Sequence, residues 1–515
     1  MSDTHLPFLG AALANPYRAA LVIGDSICRY RDLLSVSERV AHFLLRGRTD
    51  LKEARIVLLA PPGFAYVAAQ WGIWRAGGVV VPLALAHPTP ELTTLIADAD
   101  PELVLVHPET EKKGRPAAAA CGVPCTDVVD TLRGPPGTRL TSLFAAMADA
   151  PPLPAIAESR IAHIIYTSGT TGQPKGVVTT HAATRHQVES ITRAWEITRH
   201  DRVLNALPLH HVHGIVNALL CPLWQGATVE LLPRFDPDAI WNRFARLRIT
   251  IFMGVPTMYV RLIQTWKRLP HGRGQVVGWS AGDLRLMISG SAALPAPTHR
   301  YWRKMTGQGI LERYGLSETG MVLTNPLHGD RVEGHVGHPF PSVQVRLRSD
   351  GGGVARAGEE GCIEVRGPGL FREYWRRPEE TAAAFRDGWF DTGDRAVREG
   401  PGGYRILGRE SVDIIKSGGE KVSALEIEDV LLQHHRISDC AVVGVPDDEW
   451  GELVSAAVVL NEGCPVPVPK LRAWVKQYLA GYKTPKRIVF VDDLPRNSMG
   501  KVLKDQVRDL ILRAP

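Results

Sequence analysis

Ile161-Ala-His-Ile-Ile-Tyr-Thr-Ser-Gly-Thr-Thr-Gly-Gln-Pro-Lys-Gly176 joins a short apolar run to a loop of hydroxyls, glycines and one lysine. The run Ile161 to Ile165 has the length and composition of a buried strand. In the loop, Gly169, Gly172 and Gly176 let backbone N–H groups turn toward an anion without a Cβ clash. Ser168, Thr170 and Thr171 add hydroxyl donors, and Lys175 adds a point charge. Every one of these groups can donate, so the loop suits a polyphosphate. It is not a Walker A loop, because Lys175 follows Gly172-Gln-Pro and precedes Gly176, which excludes a P-loop kinase or GTPase. A flexible Ser/Thr/Gly linker is the plain alternative for such a composition. The rest of the chain decides against it.

N-terminal to this loop, strand-like and helical runs alternate: a strand at Arg55 to Ala60, a helix from Phe64 to Ala76, a strand at Val79 to Leu85, a helix from Pro90 to Ala99 and a strand at Leu103 to His107. This is the βαβ rhythm of a parallel sheet covered by helices. A Pro- and Ala-rich passage from about Glu109 to Pro154 is expected to interrupt it. Beyond the loop a second βα series places strands near Val203 to Ala206, Thr228 to Leu232, Thr250 to Met253 and Leu286 to Ser289. Val343 to Leu347 and Gly361 to Arg366 then alternate between Gly-rich turns, which suits an antiparallel region. A last boundary falls near Gly408-Arg409, and the following hundred or so residues carry their own strands and helices, notably Ala424 to His435 and Pro469 to Leu479. The expected fold is α/β: a large domain of parallel α/β sheets with a β-rich subdomain over residues 1–408, and a small mobile α+β domain over 409–515.

With 515 residues the chain can bury a large core in more than one domain. Its net charge of +6 is spread over 60 basic and 54 acidic residues without a dense basic block, which favours small anionic ligands over nucleic acid. Seven scattered cysteines, with no secretory signal before them, read as reduced thiols in a cytoplasmic compartment, an organellar matrix remaining open. Cys121 and Cys125 lack a second ligand pair for zinc. The apolar stretch around Val79 to Leu85 is too short to span a bilayer, so no membrane insertion is expected. A monomer or weak dimer is expected.

Five further segments carry chemistry: Pro208-Leu-His-His-Val-His-Gly214; Ser289-Gly-Ser-Ala-Ala293; Glu312-Arg-Tyr-Gly-Leu-Ser-Glu-Thr319; Gly388-Trp-Phe-Asp-Thr-Gly-Asp394 with Gly408-Arg409; and Pro495-Arg-Asn-Ser-Met-Gly-Lys501. In this order, together with the phosphate loop, they resemble the adenylate-forming superfamily of acyl-CoA synthetases, luciferases and peptide-synthetase adenylation domains over nearly the whole chain. The resemblance implies that a carboxylic acid is joined to the α-phosphorus of ATP as acyl-AMP, and that the thiol of coenzyme A then displaces AMP. The first step brings two anions together, so charge neutralisation dominates, one preorganised donor being worth about 3–4 kcal/mol.

The resemblance also assigns roles. Lys501 would bridge the carboxylate and the α-phosphate, Thr167 would join it in the catalytic set, and Glu318 would both serve that set and bind Mg2+, a hard cation that takes carboxylate, phosphate and water oxygens. ATP would be held by Thr167, Ser168, Gly169, Thr170, Thr171, Gly172 and Lys175; by Gly290, Ser291 and Ala292, where an adenine wall needs small side chains; by Glu312, Tyr314, Gly315 and Ser317, the last in place of the family's usual threonine; and by Asp394 and Arg409 at the ribose. Lys416, Ser417, Gly418 and Gly419 match the loop that admits the pantetheine arm of coenzyme A. The hinge sequence Gly408-Arg-Glu-Ser-Val-Asp413 is one residue longer than the common pattern, leaving Ser411, Val412 and Asp413 all open as the pivot.

The acid must be argued from its own pocket. In the superfamily the residue before the tyrosine of the Tyr-Gly-x-[Ser/Thr]-Glu motif faces the acyl group, and here it is Arg313. A buried arginine would be costly against a fatty tail but suits a second carboxylate; the alternative is that it turns to a protein carboxylate. His211 and His213 could add donors, Met321 and Val322 would line the far wall, and Arg261 and Arg300 stand in reserve for the distal carboxylate. Glu312-Arg-Tyr-Gly315, Asn325 to Asp330, Met253 to Tyr259 and Gly408 to Gly419 resemble the malonyl-CoA and methylmalonyl-CoA synthetase branch, which makes malonate the leading acid. A medium-chain or aryl acyl-CoA synthetase, a peptide-synthetase domain and a catalytically silent nucleotide-binding scaffold are the rivals.

Overall fold

The structure is a computed structural model, which describes residues 6–133, 152–167, 174–246, 248–418, 420–461, 465–497 and 500–514. Among these residues the large domain is built on two mostly parallel sheets. The seven-stranded sheet has Arg55–Leu59 at its centre, flanked by Val79–Pro82 and Leu103–Val106, with Ile161–Thr167 beyond Val79–Pro82. Every residue of Val79–Pro82 and of Leu103–Val106 is buried, as expected of strands covered on both faces. Lys175–Thr180 returns antiparallel to Ile161–Thr167 and pairs Lys175 with Thr167.

The nine-stranded sheet runs in parallel from Ala19–Ile23 through Thr228–Leu231, Arg202–Asn205, Ile251–Gly254 and Leu286–Ser289 to Leu311–Leu316. Gly320–Thr324 adds antiparallel to Leu311–Leu316, and His338–Pro339 pairs beyond it at the edge. Helices Tyr30–Leu45 and Phe64–Arg75 cross so closely that a Cβ on Gly72 would lie 2.5 Å from Val40. Tyr66, Trp71 and Trp74 are all within the core between the two sheets.

Strands Gln344–Arg348, Glu360–Arg366, Trp389–Glu399 and Gly403–Arg409 form an antiparallel subdomain. The small domain has a separate sheet of Ile414–Ser417, Glu420–Ser423, Ile437–Asp447, Gly451–Leu460 and Arg487–Phe490, with its own core around Ile427, Val442 and Leu471. The chain passes from one sheet to the other between Arg409 and Ile414.

One expectation needs correction. The Pro- and Ala-rich passage does not break the rhythm at Glu109: helix Glu111–Ala120, strand Cys125–Asp127, parallel to Leu103–Val106, and helix Val128–Arg133 continue it. Alanines are the best helix formers, and Gly114 lets the helix approach until a Cβ would stand 2.5 Å from Val106. Composition alone read this close-packed helix as irregular.

Candidate active site

In open α/β sheets, ligands gather at the carboxyl ends of the strands. Thr167, the His210 to His213 segment, Thr257, Gly290 and the Arg313-Tyr314 pair all sit at or just beyond such ends. Thr167 and Lys175 flank the phosphate loop; Ser168, Gly169, Thr170, Thr171 and Gly172 lie outside the described residues. Lys175 forms an ion pair with Glu380 and stands 5.3 Å from the centre of the Tyr374 ring.

Tyr314, Asp394 and Arg409 come together. The Tyr314 hydroxyl donates to Asp394 Oδ2 at 2.6 Å, and Arg409 Nε donates to Asp394 Oδ1 at 3.0 Å. Burial works against the Arg409 charge, but Asp394 more than offsets it and raises the guanidinium above its ordinary value. Glu318 accepts from the Tyr374 hydroxyl at 2.9 Å. Burial pushes its carboxyl up, against the hydrogen bonds that hold it down. Among the described residues no three His, Cys, Asp or Glu side chains converge as a metal cage. A lone carboxylate fits Mg2+ that takes its other oxygens from a triphosphate and water.

Glu312, beside this group, is buried and pushed up to about 8, chiefly by desolvation. Its Oε1 accepts from Gly334 N–H at 3.3 Å. Gly315 is pressed against the next strand, where a Cβ would meet Gly320 O at 2.2 Å. Ser291 holds a left-handed backbone with φ of 70°, and Ser291 and Ala292 are exposed.

The acyl side differs. Arg313 is only 3% exposed, and burial pushes its guanidinium down to about 9. Its one hydrogen bond among the described residues is a long one, Nη2 to Ser291 Oγ at 3.4 Å, and its Nε has no partner there. No carboxylate among the described residues pairs with it. A Cβ on Gly290 would fall 2.5 Å from the guanidinium carbon, so the missing side chain there makes room for the arginine.

His213 is buried with both ring nitrogens unpartnered, and desolvation followed by the charge of Arg313 holds it neutral. It opens a π-helical stretch, His213–Leu220, which sequence periodicity does not announce; such stretches are frequent at functional sites. Gly214 fits there because a Cβ would lie 2.2 Å from Pro208 O. His211 is held down to about 4, by burial and then by His87. Met321 and Val322 are buried on Gly320–Thr324, the strand paired with that of Arg313.

The reserve arginines are not brought to this group. Arg300 is half-exposed and pairs with Glu333 at 2.9 Å, and Arg261 is exposed on its helix. Sequence reasoning missed Tyr374, the hydroxyl on Glu318, which no motif marks, and Asn217, whose buried amide has neither atom partnered.

Lys501 is exposed in the small domain, its backbone N–H donating to Asn497 Oδ1 at 2.9 Å. A Cβ on the adjoining Gly500 would lie 3.0 Å from Thr257 Oγ1, so the lysine's loop rests on the start of helix Pro256–Arg268 of the large domain. Lys416 and Ser417 end a strand, and Gly418 donates to Trp450 O at 2.8 Å; Gly419 lies outside the described residues. Of the open hinge positions, Ser411 is exposed, Val412 half-buried, and Asp413 accepts from Arg409 N–H at 3.1 Å.

The family description AMP-binding enzyme matches residues 9–375, and AMP-binding enzyme C-terminal domain matches residues 426–501. The chain belongs to the AMP-binding enzyme family. Within it, the mitochondrial malonate–CoA ligase of Homo sapiens is 42% identical, over 98% of this chain and 92% of that protein. ATP-bound MatB from Rhodopseudomonas palustris superposes with a TM-score of 0.87 at 36% identity, covering 99% of each chain. A malonyl-CoA ligase ternary product complex with methylmalonyl-CoA and AMP superposes with a TM-score of 0.67 at 35% identity, over 93% of this chain and 97% of that one. No helix among the described residues is long and apolar enough to cross a membrane.

Proposed function

We propose that the chain is an ATP-dependent acid–thiol ligase that converts malonate to malonyl-CoA, with methylmalonate as a second acid. One carboxylate oxygen of malonate attacks the α-phosphorus of ATP; the bond to the β-phosphate breaks, and pyrophosphate leaves with the electron pair. The sulfur of coenzyme A, having lost its proton, then attacks the acyl carbon, and AMP departs. Residues 1–408 hold the nucleotide and acid, and 409–515 deliver Lys501 to the reacting oxygens.

The observation that carries the malonate reading is Arg313, a buried cation that no carboxylate among the described residues pairs with. Removing a charge from water without a partner costs several kcal/mol, and a dianionic acid supplies the missing partner at its distal end. Neutral His213 can donate one further hydrogen bond to that carboxylate. A fatty or aryl tail would leave the guanidinium unpaired, which disfavours the medium-chain and aryl alternatives.

On the nucleotide side Asp394 accepts the ribose hydroxyls, with Tyr314 and Arg409 fixing its orientation, and Lys175 exchanges Glu380 for phosphate. Glu318 would hold Mg2+, whose charge offsets that of the triphosphate. ATP–pyrophosphate exchange with malonate, methylmalonate, acetate, octanoate and benzoate tests the reading, with mass spectrometry of the thioester product. Malonate should exceed acetate by about ten thousandfold, since a dedicated polar partner is left unpaired. Malonate and methylmalonate should differ by no more than about a hundredfold. Equal exchange with acetate and malonate defeats the malonate assignment, and no exchange with any acid leaves the silent scaffold.

A further inference from the structure

Outside the two pockets, a dense group of charges lies where the large domain, the hinge and the small domain meet. Arg395, on Trp389–Glu399, is 3% exposed. Its Nη1 donates to Asp350 Oδ1 at 2.9 Å and to Glu410 Oε2 at 3.2 Å, while Nη2 stands 3.9 Å from Glu360. Lys421 approaches from the small domain and donates to Asp350 Oδ2 at 2.9 Å, 3.6 Å from Glu410 Oε1. One carboxylate from a large-domain loop and one from the hinge are thus shared between a large-domain cation and a small-domain cation. Lys421 and Arg395 together hold the Asp350 carboxyl below its ordinary value.

With both lobes in place two cations, Arg395 and Lys421, face the three carboxylates of Asp350, Glu410 and Glu360; without Lys421, Arg395 alone faces all three. Lys421 pairs with Lys416 across the hairpin of Ile414–Ser417 and Glu420–Ser423, the hairpin that carries the residues matched to coenzyme A. The arrangement that ties this hairpin to the outer β-subdomain is also the one that rests Gly500 on Thr257. The chain superposes better on the ATP-bound relative than on the relative holding a thioester and AMP, at nearly equal identity.

We propose that Asp350, Glu410 and Arg395 form an electrostatic latch on Lys421, positioning the small domain for acyl-adenylate formation and releasing it for thioester formation. This rests on the ligase reading above. The three are positioning residues: they act through where Lys501 is placed and touch no substrate. Glu410, directly after Arg409, has a carboxylate that reaches the cations of both lobes.

The test separates the two half-reactions. Asp350→Asn and Glu410→Gln should each slow malonate-dependent ATP–pyrophosphate exchange about fivefold, as expected for a partly exposed ion pair. In single turnover, transfer of the enzyme-held acyl group to coenzyme A should stay unchanged or quicken. Asp350→Glu should restore exchange. Equal losses in both half-reactions, or no loss in exchange, overturn the latch. A wild-type chain without malonate-dependent exchange defeats the ligase reading instead. The latch is then judged by electron-spin distance measurements between labels at Lys304 and Lys476: a distribution broadened by Asp350→Asn and restored by Asp350→Glu supports it, and one identical in all three overturns it.

Discussion

Arg313 and Tyr314 are neighbours on one strand and point to opposite faces, as successive strand residues must. On the Tyr314 face the polar groups are matched: the hydroxyl and Arg409 converge on Asp394, and Tyr374 holds Glu318. On the Arg313 face, among the described residues, they are not: the guanidinium has a single long bond, and both ring nitrogens of His213 lack a partner. On the proposed reading the contrast teaches that the nucleotide half is organised before its ligand arrives, whereas the acyl half has an electrostatic deficit that the acid removes. Preorganisation lowers the ordering cost of binding; a stored deficit creates selectivity, because only the right guest cancels it.

The largest expected effect breaks the acyl side alone. Arg313→Met should lower kcat/KM for malonate by about ten thousandfold while sparing butyrate. It should also raise the melting temperature of the ligand-free protein, since an apolar residue of similar volume replaces an unpaired buried charge. Equal losses on both acids, or a lower melting temperature, would remove the contrast between the halves. Asp394→Asn addresses the other face: kcat/KM for ATP should fall about a hundredfold, as when one partner of a buried charge pair is lost, and equally with malonate or butyrate as co-substrate.

Gly290→Ala probes the shared wall. Its Cβ would meet the guanidinium at 2.5 Å, so malonate activity should fall about tenfold through overpacking, and Arg313→Met should recover much of the packing cost. The smallest effect is on pH. Burial pushes the Glu312 carboxyl up to about 8 in the folded chain, whereas an unfolded glutamate loses its proton near the ordinary value of 4.5. Between these values the folded state binds more protons, so this group's contribution to stability falls as pH rises. Glu312→Gln should flatten that segment of a denaturant-midpoint profile; an unchanged slope would place the protonation elsewhere.

Much of this was legible in the sequence where local chemistry dictates structure. The all-apolar runs around Val57, Val80 and Val104 can only be strands covered on both faces, and the family resemblance placed Tyr314, Asp394 and Arg409 among the residues expected to hold ATP. The partnerless state of Arg313 was not legible, since it depends on which carboxylates the folded chain leaves out of reach. Arg300 and Arg261 illustrate the same limit, because a helix presents most of its arginines to water whatever their sequence neighbours. Tyr374 reaches Glu318 across 56 positions, the Arg395 cluster joins hydrogen-bonded partners 15 to 71 positions apart, and the π-helical turn at His213 has no periodicity that its apolar sequence displays.

Gly290 has a consequence for the history of such a pocket. Because a Cβ at 290 would fall 2.5 Å from the Arg313 guanidinium carbon, positions 290 and 313 cannot drift independently. A lineage moving toward monoacids must surrender the arginine first and only then accept a methyl group at 290; the reverse order passes through an intermediate that handles neither acid well. The order of substitutions is therefore constrained by a single hydrogen atom's worth of space.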